Sequence, residues 1–122
     1  MTTPTLKATF QLDEHGQPEH IQNEGLNHYL IKVEIEDAPE DTYAVTYQLD
    51  ESYYEPIRES RDPLQRFAED LTSFGDYPIQ AKIRTKGGVL TVMSPLSAAL
   101  KAGHQLQLSA KIQTALMDIQ QN

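Results

Sequence analysis

Two adjacent tyrosines, Tyr53 and Tyr54, are the side chains of this sequence best placed to bind a ligand. They follow a polar corner, Asp50–Ser52, and precede Pro56, which cannot donate a hydrogen bond to a neighbouring strand. The tyrosines are therefore predicted to lie on a loop at the end of a strand, where binding groups are often found. Residues 73–76, Ser-Phe-Gly-Asp, indicate a second aromatic loop.

Two further clusters carry groups that could do chemistry. The first cluster comprises Glu14, His15, Glu19 and His20. It could bind a divalent metal, but the spacing of its residues matches no recognised metal site and favours a solvated hairpin. The other has carboxylates beside arginines without a nucleophile and an adjacent base; it comprises Glu51, Glu55, Arg58, Glu59 and Arg61. Gly87 and Gly88 precede a predicted strand rather than a helix, so they do not indicate a phosphate-binding loop. We expect no metal, no cofactor and no enzymatic activity.

The composition narrows the class of protein and of partner. With 10 basic and 18 acidic residues the net charge is -8, which repels phosphate groups, so nucleic acid and anionic membranes are not expected partners. A basic peptide would suit this charge. Cysteine is absent, which excludes disulfides, thiolate zinc sites and cysteine nucleophiles. We expect a single domain over residues 1–122 and, because no signal peptide or membrane-spanning run is found, a cytoplasmic protein.

Alternating apolar and polar residues predict the strands that carry the two loops. In the central strand the residues predicted to face the core are Tyr43, Val45, Tyr47 and Leu49. The same alternation predicts strands over Leu6–Leu12, His28–Glu36 and Tyr77–Arg84, and a glycine turn at residues 86–88 leads into a strand over Val89–Met93. Strands joined by short turns, without the spacing of βαβ units, favour an all-β fold, an immunoglobulin-like antiparallel β-sandwich.

Four segments are less regular. Ile21–Asn27 is polar and ambiguous, and Leu64–Leu71 fits either a short helix or an irregular edge segment. A short helix over Pro95–Ala102 is predicted, with Ser94 as its N-cap, Pro95 as its first residue and Gly103 at its end. The tail from Gln105 alternates like a strand and then repeats like a helix, so we predict a strand giving way to a C-terminal helix near Ser109.

The central motifs resemble those of the YEATS domain family, and fit its prokaryotic branch better than the eukaryotic one. The matching residues run from Val45 through Ser52 and Tyr53 to Pro56 and Arg58, continue at Phe74-Gly75-Asp76-Tyr77, and end with Leu96-Ser97-Ala98-Ala99-Leu100. The resemblance covers roughly residues 28 to 104, and the order and spacing of its motifs make chance unlikely.

The resemblance implies an immunoglobulin-like β-sandwich and a non-enzymatic binding module. Eukaryotic members of the family bind acylated lysines by sliding the flat acyl amide between aromatic rings at the loop end. By motif position the ligand-binding residues would be Ser52, Tyr53 as the first clamp aromatic, Phe74 as the second, and the flanking Gly75 and Asp76. This sequence departs from the family at two positions, since Asp50 replaces a histidine and Ser73 replaces a glycine.

The hypothesis is a slot between Tyr53 and Phe74 that accepts an acylated lysine. Because an acylated lysine is uncharged, its amide can stack on two ring faces at a modest desolvation cost, but its N–H and C=O need polar partners. Ser52 and the backbone of Phe74 and Gly75 could supply them. In the alternative, both rings cap the sandwich as part of the core, Ser52 bonds within its own loop, and the domain is an adaptor that docks a protein partner.

Overall fold

The computed structural model describes residues 3–105 and 108–122. The first strands are β1 (Thr5–Phe10), β2 (His20–Asn23), β3 (Leu26–Glu36), β4 (Thr42–Gln48) and β5 (Ile57–Ser60). A short 3-10 turn at Pro63–Gln65 precedes β6 (Glu69–Ser73), β7 (Pro78–Thr85) and β8 (Gly88–Pro95). Two helices follow, α1 (Leu96–Gly103) and α2 (Ala110–Gln121).

The strands form two four-stranded antiparallel sheets. In the first, the long strand β3 pairs with β1, β2 and β6; in the second, the strand order is β5-β4-β7-β8. The inward residues of both sheets form one core, to which α1 and α2 contribute Leu96, Leu100, Ile112, Leu116 and Ile119. The prediction of an immunoglobulin-like antiparallel β-sandwich is confirmed.

The alternation predicts that one face of β3 and one face of β7 are buried, and the structure agrees. Tyr29, Ile31, Val33 and Ile35 are buried, as are Ile79, Ala81 and Ile83. Tyr47 of β4 is fully buried, and its hydroxyl donates to the carbonyl oxygen of Phe67 at 2.7 Å. The hydroxyl can enter the core because it has this partner.

The predicted inward position of Tyr43 is wrong. The pairing of β4 with β7 shifts register between Thr42 and Ala44, a β-bulge that turns Ala44 into the core and leaves Tyr43 48% exposed. From Val45 onward the predicted alternation holds. Leu12, the last residue of the predicted strand Leu6–Leu12, lies beyond the end of β1 and is 39% exposed.

Two ambiguous segments contain strands. Ile21–Asn27 holds most of β2 and the turn to β3, where Glu24 and Gly25 both have positive φ, as a two-residue hairpin turn requires. Leu64–Leu71 does not form an α-helix. Its first residues belong to the 3-10 turn, and its end belongs to β6, which pairs with β3.

The helix after β8 begins one residue later than predicted. Ser94 is part of β8 and its hydroxyl donates to the carbonyl oxygen of Pro95, so Pro95 occupies the N-cap position and Ser94 does not cap the helix. The predicted C-terminal helix is present as α2, with Ser109 as its N-cap. The predicted strand before it falls largely on Leu106 and Gln107, which lie outside the described residues.

Helix α1 covers the free edge of β1. The backbone N–H of Phe10 donates to Nε2 of the buried His104 at 2.9 Å, and the two rings stack with centroids 5.7 Å apart. A Cβ on Gly103 would lie 1.9 Å from the carbonyl oxygen of Ala8, so this close approach requires glycine. Neither described helix is long and apolar enough to cross a membrane.

Candidate functional site

A groove of about 430 Å³ lies between the loop that follows β4 and the loop that connects β6 to β7. All five residues predicted from the family motifs line it: Ser52, Tyr53, Phe74, Gly75 and Asp76. His28 of β3, Tyr77 and Asn122 also contribute to the lining. The two aromatic loops, which are distant along the chain, therefore meet at one end of the sandwich.

The Tyr53 side of the groove is held by hydrogen bonds. The Tyr53 hydroxyl donates to the carbonyl oxygen of Thr72 and accepts from the hydroxyl of Tyr77 at 2.9 Å. The rings of Tyr53 and Tyr77 are tilted by 59° with centroids 5.7 Å apart. Burial raises the pKa of both phenols, so both hydroxyls stay protonated at neutral pH.

Arg58 supports this wall. Its guanidinium lies 6.0 Å from the centroid of the Tyr53 ring. Nη1 donates to the carbonyl oxygen of Asp70 at 2.7 Å and Nε to that of Glu55 at 3.1 Å. Both acceptors are backbone carbonyl oxygens, so these hydrogen bonds hold the guanidinium beside the Tyr53 ring.

Asp50, which replaces the family histidine, shapes the turn before Tyr53. Its Oδ1 accepts from the backbone N–H of Ser52 at 2.9 Å, and the N–H of Tyr53 donates to the carbonyl oxygen of Asp50. The hydrogen bond from the backbone N–H of Ser52 lowers the pKa of Asp50, and a hydrogen bond from the Ser52 hydroxyl lowers it further. Asp50 is therefore a carboxylate at neutral pH. The side chain of Ser52 remains exposed beside the groove.

Phe74, on the opposite side, is less enclosed. Its side chain is 43% exposed, and its ring contacts the imidazole of His28 at a centroid distance of 5.2 Å and a tilt of 58°. His28 is half-buried at the start of β3. A phenyl ring has no polar group that could form a hydrogen bond, so packing alone sets its position.

The backbone beneath Phe74 is rigid. The Ser73 hydroxyl donates to the carbonyl oxygen of Gly75 at 2.7 Å and accepts from its N–H at 3.3 Å. A Cβ on Gly75 would lie 2.8 Å from the carbonyl oxygen of Asn122, so helix α2 ends directly against this loop. Ser73, at the family's glycine position, therefore closes the loop upon itself, and the N–H of Gly75 is already bonded.

Asp76 connects the loop to helix α1. Its two carboxylate oxygens accept from the backbone N–H of Ser97 at 2.9 Å and from the Ser97 hydroxyl at 2.7 Å. A carboxylate at a helix N-terminus satisfies an unpaired N–H and interacts favourably with the helix dipole. Asp76, and not the predicted Ser94, thus supplies the N-terminal cap of α1, and it also holds the loop in place.

Sequence reasoning did not assign Tyr77, His28 or Asn122 to the groove. Tyr77 begins the predicted strand Tyr77–Arg84, and this gives no reason to expect its hydroxyl next to Tyr53. His28 had marked the start of a strand, and nothing in the local sequence links Asn122 to a loop far from it. Among the described residues, no cluster of three or more histidine or acidic side chains could hold a metal, and Glu14 and His15 form an exposed pair.

Comparison with known proteins identifies the class. The family model described as the prokaryotic YEATS domain, pYEATS, matches residues 28–95, which is more than half of the chain. The chain therefore belongs to the prokaryotic YEATS domain family. A search of curated proteins gave no match.

Solved YEATS domains share the fold. The yeast AF-9 homologue Yaf9 superposes with a TM-score of 0.57 at 18% identity, over 76% of this chain and 65% of that one. A Yaf9 YEATS domain bound to H3K27ac superposes with a TM-score of 0.54 at 20% identity, over 79% of this chain and 75% of that one. A Yaf9 YEATS domain recognising an H3K122suc peptide superposes with a TM-score of 0.55 at 17% identity, over 79% of this chain and 75% of that one.

Proposed function

We propose that the groove binds an extended peptide and accepts an acylated lysine between the rings of Tyr53 and Phe74. The observation that carries this proposal is the convergence of these two rings, from separate loops, on one open groove. Membership of the YEATS family supports it, as do the acylated lysine peptides in the Yaf9 structures. Binding of this kind needs no catalytic step.

The groove offers the chemistry that a neutral amide needs. Tyr53 presents a ring fixed by its own hydroxyl, and Phe74 presents a ring that can close on the ligand. The polar partners of the acyl amide would be the hydroxyl of Ser52, which can accept while it donates to Asp50, and the imidazole of His28. The Gly75 N–H already has a partner in Ser73. In this proposal Gly75 and Asp76 position the loop and do not contact the ligand.

The charge of the groove bears on the residues beside the lysine. Asp50 is an exposed carboxylate on the groove, and the chain carries a net charge of -8. A peptide with basic residues beside the acylated lysine would be attracted to this surface, whereas an acidic one would be repelled. Affinity should therefore decrease with added salt.

A protein–protein adaptor is the second candidate, and one observation favours it. The polar groups of Tyr53, Ser73 and Asp76 already have partners within the chain, so they need no ligand. In that case both rings would serve the fold, and a partner would bind through a sheet face or an edge strand. Acyl peptides separate the two candidates.

The test is titration of the protein with matched peptides followed by NMR. Peptides with a central acetyl-, crotonyl- or unmodified lysine between basic residues should shift the resonances of Tyr53 and Phe74 only when the lysine is acylated. Phe74→Ala should weaken binding by about tenfold or more, since one face of the slot is lost. Leu64→Ala, which removes a 95% exposed apolar side chain away from the groove, is the matched control and should leave affinity unchanged.

Two results would contradict the proposal. No shift with any acyl peptide at millimolar concentration would favour the adaptor. Binding that Phe74→Ala does not weaken would place the peptide outside the slot. Phe74→Ala is a better probe than Tyr53→Ala, because Tyr53 is also part of the hydrogen-bond network that supports the fold.

A further inference from the structure

Strand β8 is an edge strand with unusual composition. It pairs with β7 along its whole length, from Gly88 to Pro95, and lies at the end of the second sheet. Its sequence, GVLTVMSP, carries no charge. Val89, Leu90 and Met93 are 52%, 44% and 65% exposed. Edge strands in soluble proteins are usually short, charged, bulged or covered, because their unpaired N–H and C=O groups can pair with another chain.

Of the three edge strands of the first sheet, β2 has only four residues, and β1 and β6 are covered. Helix α1 covers β1, where His104 takes the N–H of Phe10. Side chains from β5 and the loop after β4 satisfy carbonyl oxygens of β6, since Arg58 donates to Asp70 and Tyr53 donates to Thr72. Neither strand offers a free backbone edge of any length.

The opposite edge of the second sheet is also protected. Strand β5 has four residues, two of them charged, Arg58 and Glu59, and it directly follows Pro56. Short length, charge and a neighbouring proline all discourage pairing with another strand. Among the edge strands in the described part of the chain, β8 combines length, exposure and lack of charge.

We infer that β8 pairs antiparallel with β8 of a second copy of this chain, about a two-fold axis at Thr91. In this register Val89 lies opposite Met93 of the second copy, and Leu90 lies opposite Val92. Thr91 lies opposite Thr91. Every exposed apolar residue of the strand then faces another apolar residue, and threonine pairs are favourable across antiparallel strands.

The hydrogen-bond pattern fits the same register. The two-residue turn at residues 86–87 is closed by the pair Thr85 and Gly88, which is a hydrogen-bonded pair. Hydrogen-bonded pairs alternate along an antiparallel ladder, so every second residue from Gly88 directs its backbone N–H and C=O toward β7. The backbone groups of Val89, Thr91 and Met93 therefore point to the free edge. Pairing centred on Thr91 satisfies all of them with about six hydrogen bonds, and it keeps Pro95, which has no N–H, outside the ladder.

Charge and symmetry favour a second copy as the occupant. The acidic residues that give the chain its net charge lie outside β8, so pairing brings no like charges directly opposite each other. A two-fold axis uses the same edge from both copies, so assembly stops at a dimer with one continuous sheet of eight strands, four from each copy. Residues of β8 do not line the groove, so both grooves remain open.

The test is sedimentation equilibrium over a wide range of protein concentration. The wild-type chain should dimerise reversibly, and Thr91→Lys should raise the dimer dissociation constant by at least about tenfold, since two lysines would meet at the axis. Gln48→Lys adds the same charge to an exposed position on β4 of the same sheet and is the matched control. Mixing Thr91→Lys with Thr91→Glu should restore association as a heterodimer.

Several outcomes would overturn the inference. The first is a wild-type chain that is monomeric at all concentrations. The second is a dimer that Thr91→Lys leaves intact. The third is a dimer that Gln48→Lys weakens as much as Thr91→Lys does. Binding of β8 to a different protein without self-association would also overturn it. If Thr91→Lys does not fold, amide hydrogen exchange of the wild type decides. Protection of Val89, Thr91 and Met93 should then rise with protein concentration, and concentration-independent exchange would contradict the pairing.

Discussion

The two walls of the groove are built by opposite means. Tyr53 is fixed through its side chain, whose hydroxyl bonds to Thr72 and Tyr77. Phe74 is 43% exposed and is fixed through its backbone, because Ser73 closes the loop onto Gly75 and Asp76 ties it to helix α1. One wall is thus a ring held by its own hydroxyl, whereas the other is a partly exposed ring on a backbone held by hydrogen bonds.

This difference separates stability from binding. Changes to the Tyr53 hydroxyl should cost stability, because its partners are half-buried polar groups that would lose a hydrogen bond. Changes to the Phe74 ring should cost affinity more than stability, because 43% of this residue remains exposed in the free protein. On the Phe74 side, stability instead depends on the backbone around Gly75.

The largest expected effect is that of Gly75→Ala. The added Cβ would lie 2.8 Å from the carbonyl oxygen and 2.9 Å from the carbonyl carbon of Asn122, so the loop and the end of α2 must move apart. Overpacking of this kind typically costs about 2 kcal/mol in the free energy of unfolding. Urea denaturation measures the loss, and the proposed acyl-peptide binding should weaken with it.

Gly87→Ala is the control for this prediction. The nearest atom to a Cβ on Gly87 is the Thr85 hydroxyl oxygen at 3.9 Å, which is ordinary contact. Its effect on stability should therefore be within about 0.5 kcal/mol. Equal losses for the two variants would mean that the contact between the loop and α2 does not hold the Phe74 wall.

The second prediction concerns the hydroxyl of Tyr53. Tyr53→Phe keeps the ring but leaves the Thr72 carbonyl oxygen and the Tyr77 hydroxyl without this partner. We expect a loss of about 1 to 1.5 kcal/mol in the free energy of unfolding. Tyr54→Phe makes the same chemical change at the next residue, which is 99% exposed, and should be neutral.

The outcome of this pair decides how the Tyr53 wall is fixed. If Tyr53→Phe is as stable as Tyr54→Phe, the ring is held by packing and not by its hydroxyl. If it is destabilised and also binds acyl peptide less tightly, the hydroxyl sets the ring position that the ligand requires. Thermal unfolding and peptide titration of both variants give these answers.

The sequence predicted the fold well where one face of a strand is buried. Alternation located β3, β7 and most of β4, because burial of one face requires a period of two. It misplaced Tyr43, since a β-bulge depends on the partner strand and leaves no mark in the local pattern. Strand β2 was missed because it is exposed throughout, so no apolar alternation identifies it.

The candidate site was predictable as a set of residues but not as a set of roles. The motifs indicated Ser52, Tyr53, Phe74, Gly75 and Asp76, and the structure brings them to one groove. The roles depend on contacts between distant segments, as when Asp76 caps a helix that begins twenty residues later. Such pairings follow from the packing of the sheets, and local sequence does not encode them.

The smallest expected effect is a pH dependence located away from both walls, at the edge where α1 covers β1. His104 is buried, and its Nε2 accepts from the N–H of Phe10, so the folded state requires the neutral imidazole. Burial lowers the pKa of His104 below its usual value of 6.5. As pH falls below about 6.5, the unfolded chain takes up this proton first, so stability decreases until the folded pKa is reached. At still lower pH the loss persists but no longer grows.

His104→Gln isolates this contribution. The glutamine amide oxygen can accept from the N–H of Phe10 but does not titrate, so the variant should lose less stability than wild type between about pH 7.5 and about pH 5.5. Burial raises the pKa values of Tyr53 and Tyr77, so these hydroxyls keep their protons over the same range. Acid should therefore loosen the α1 edge and leave the Tyr53 wall intact. Equal pH dependence in the two proteins would assign the effect to the carboxylates instead.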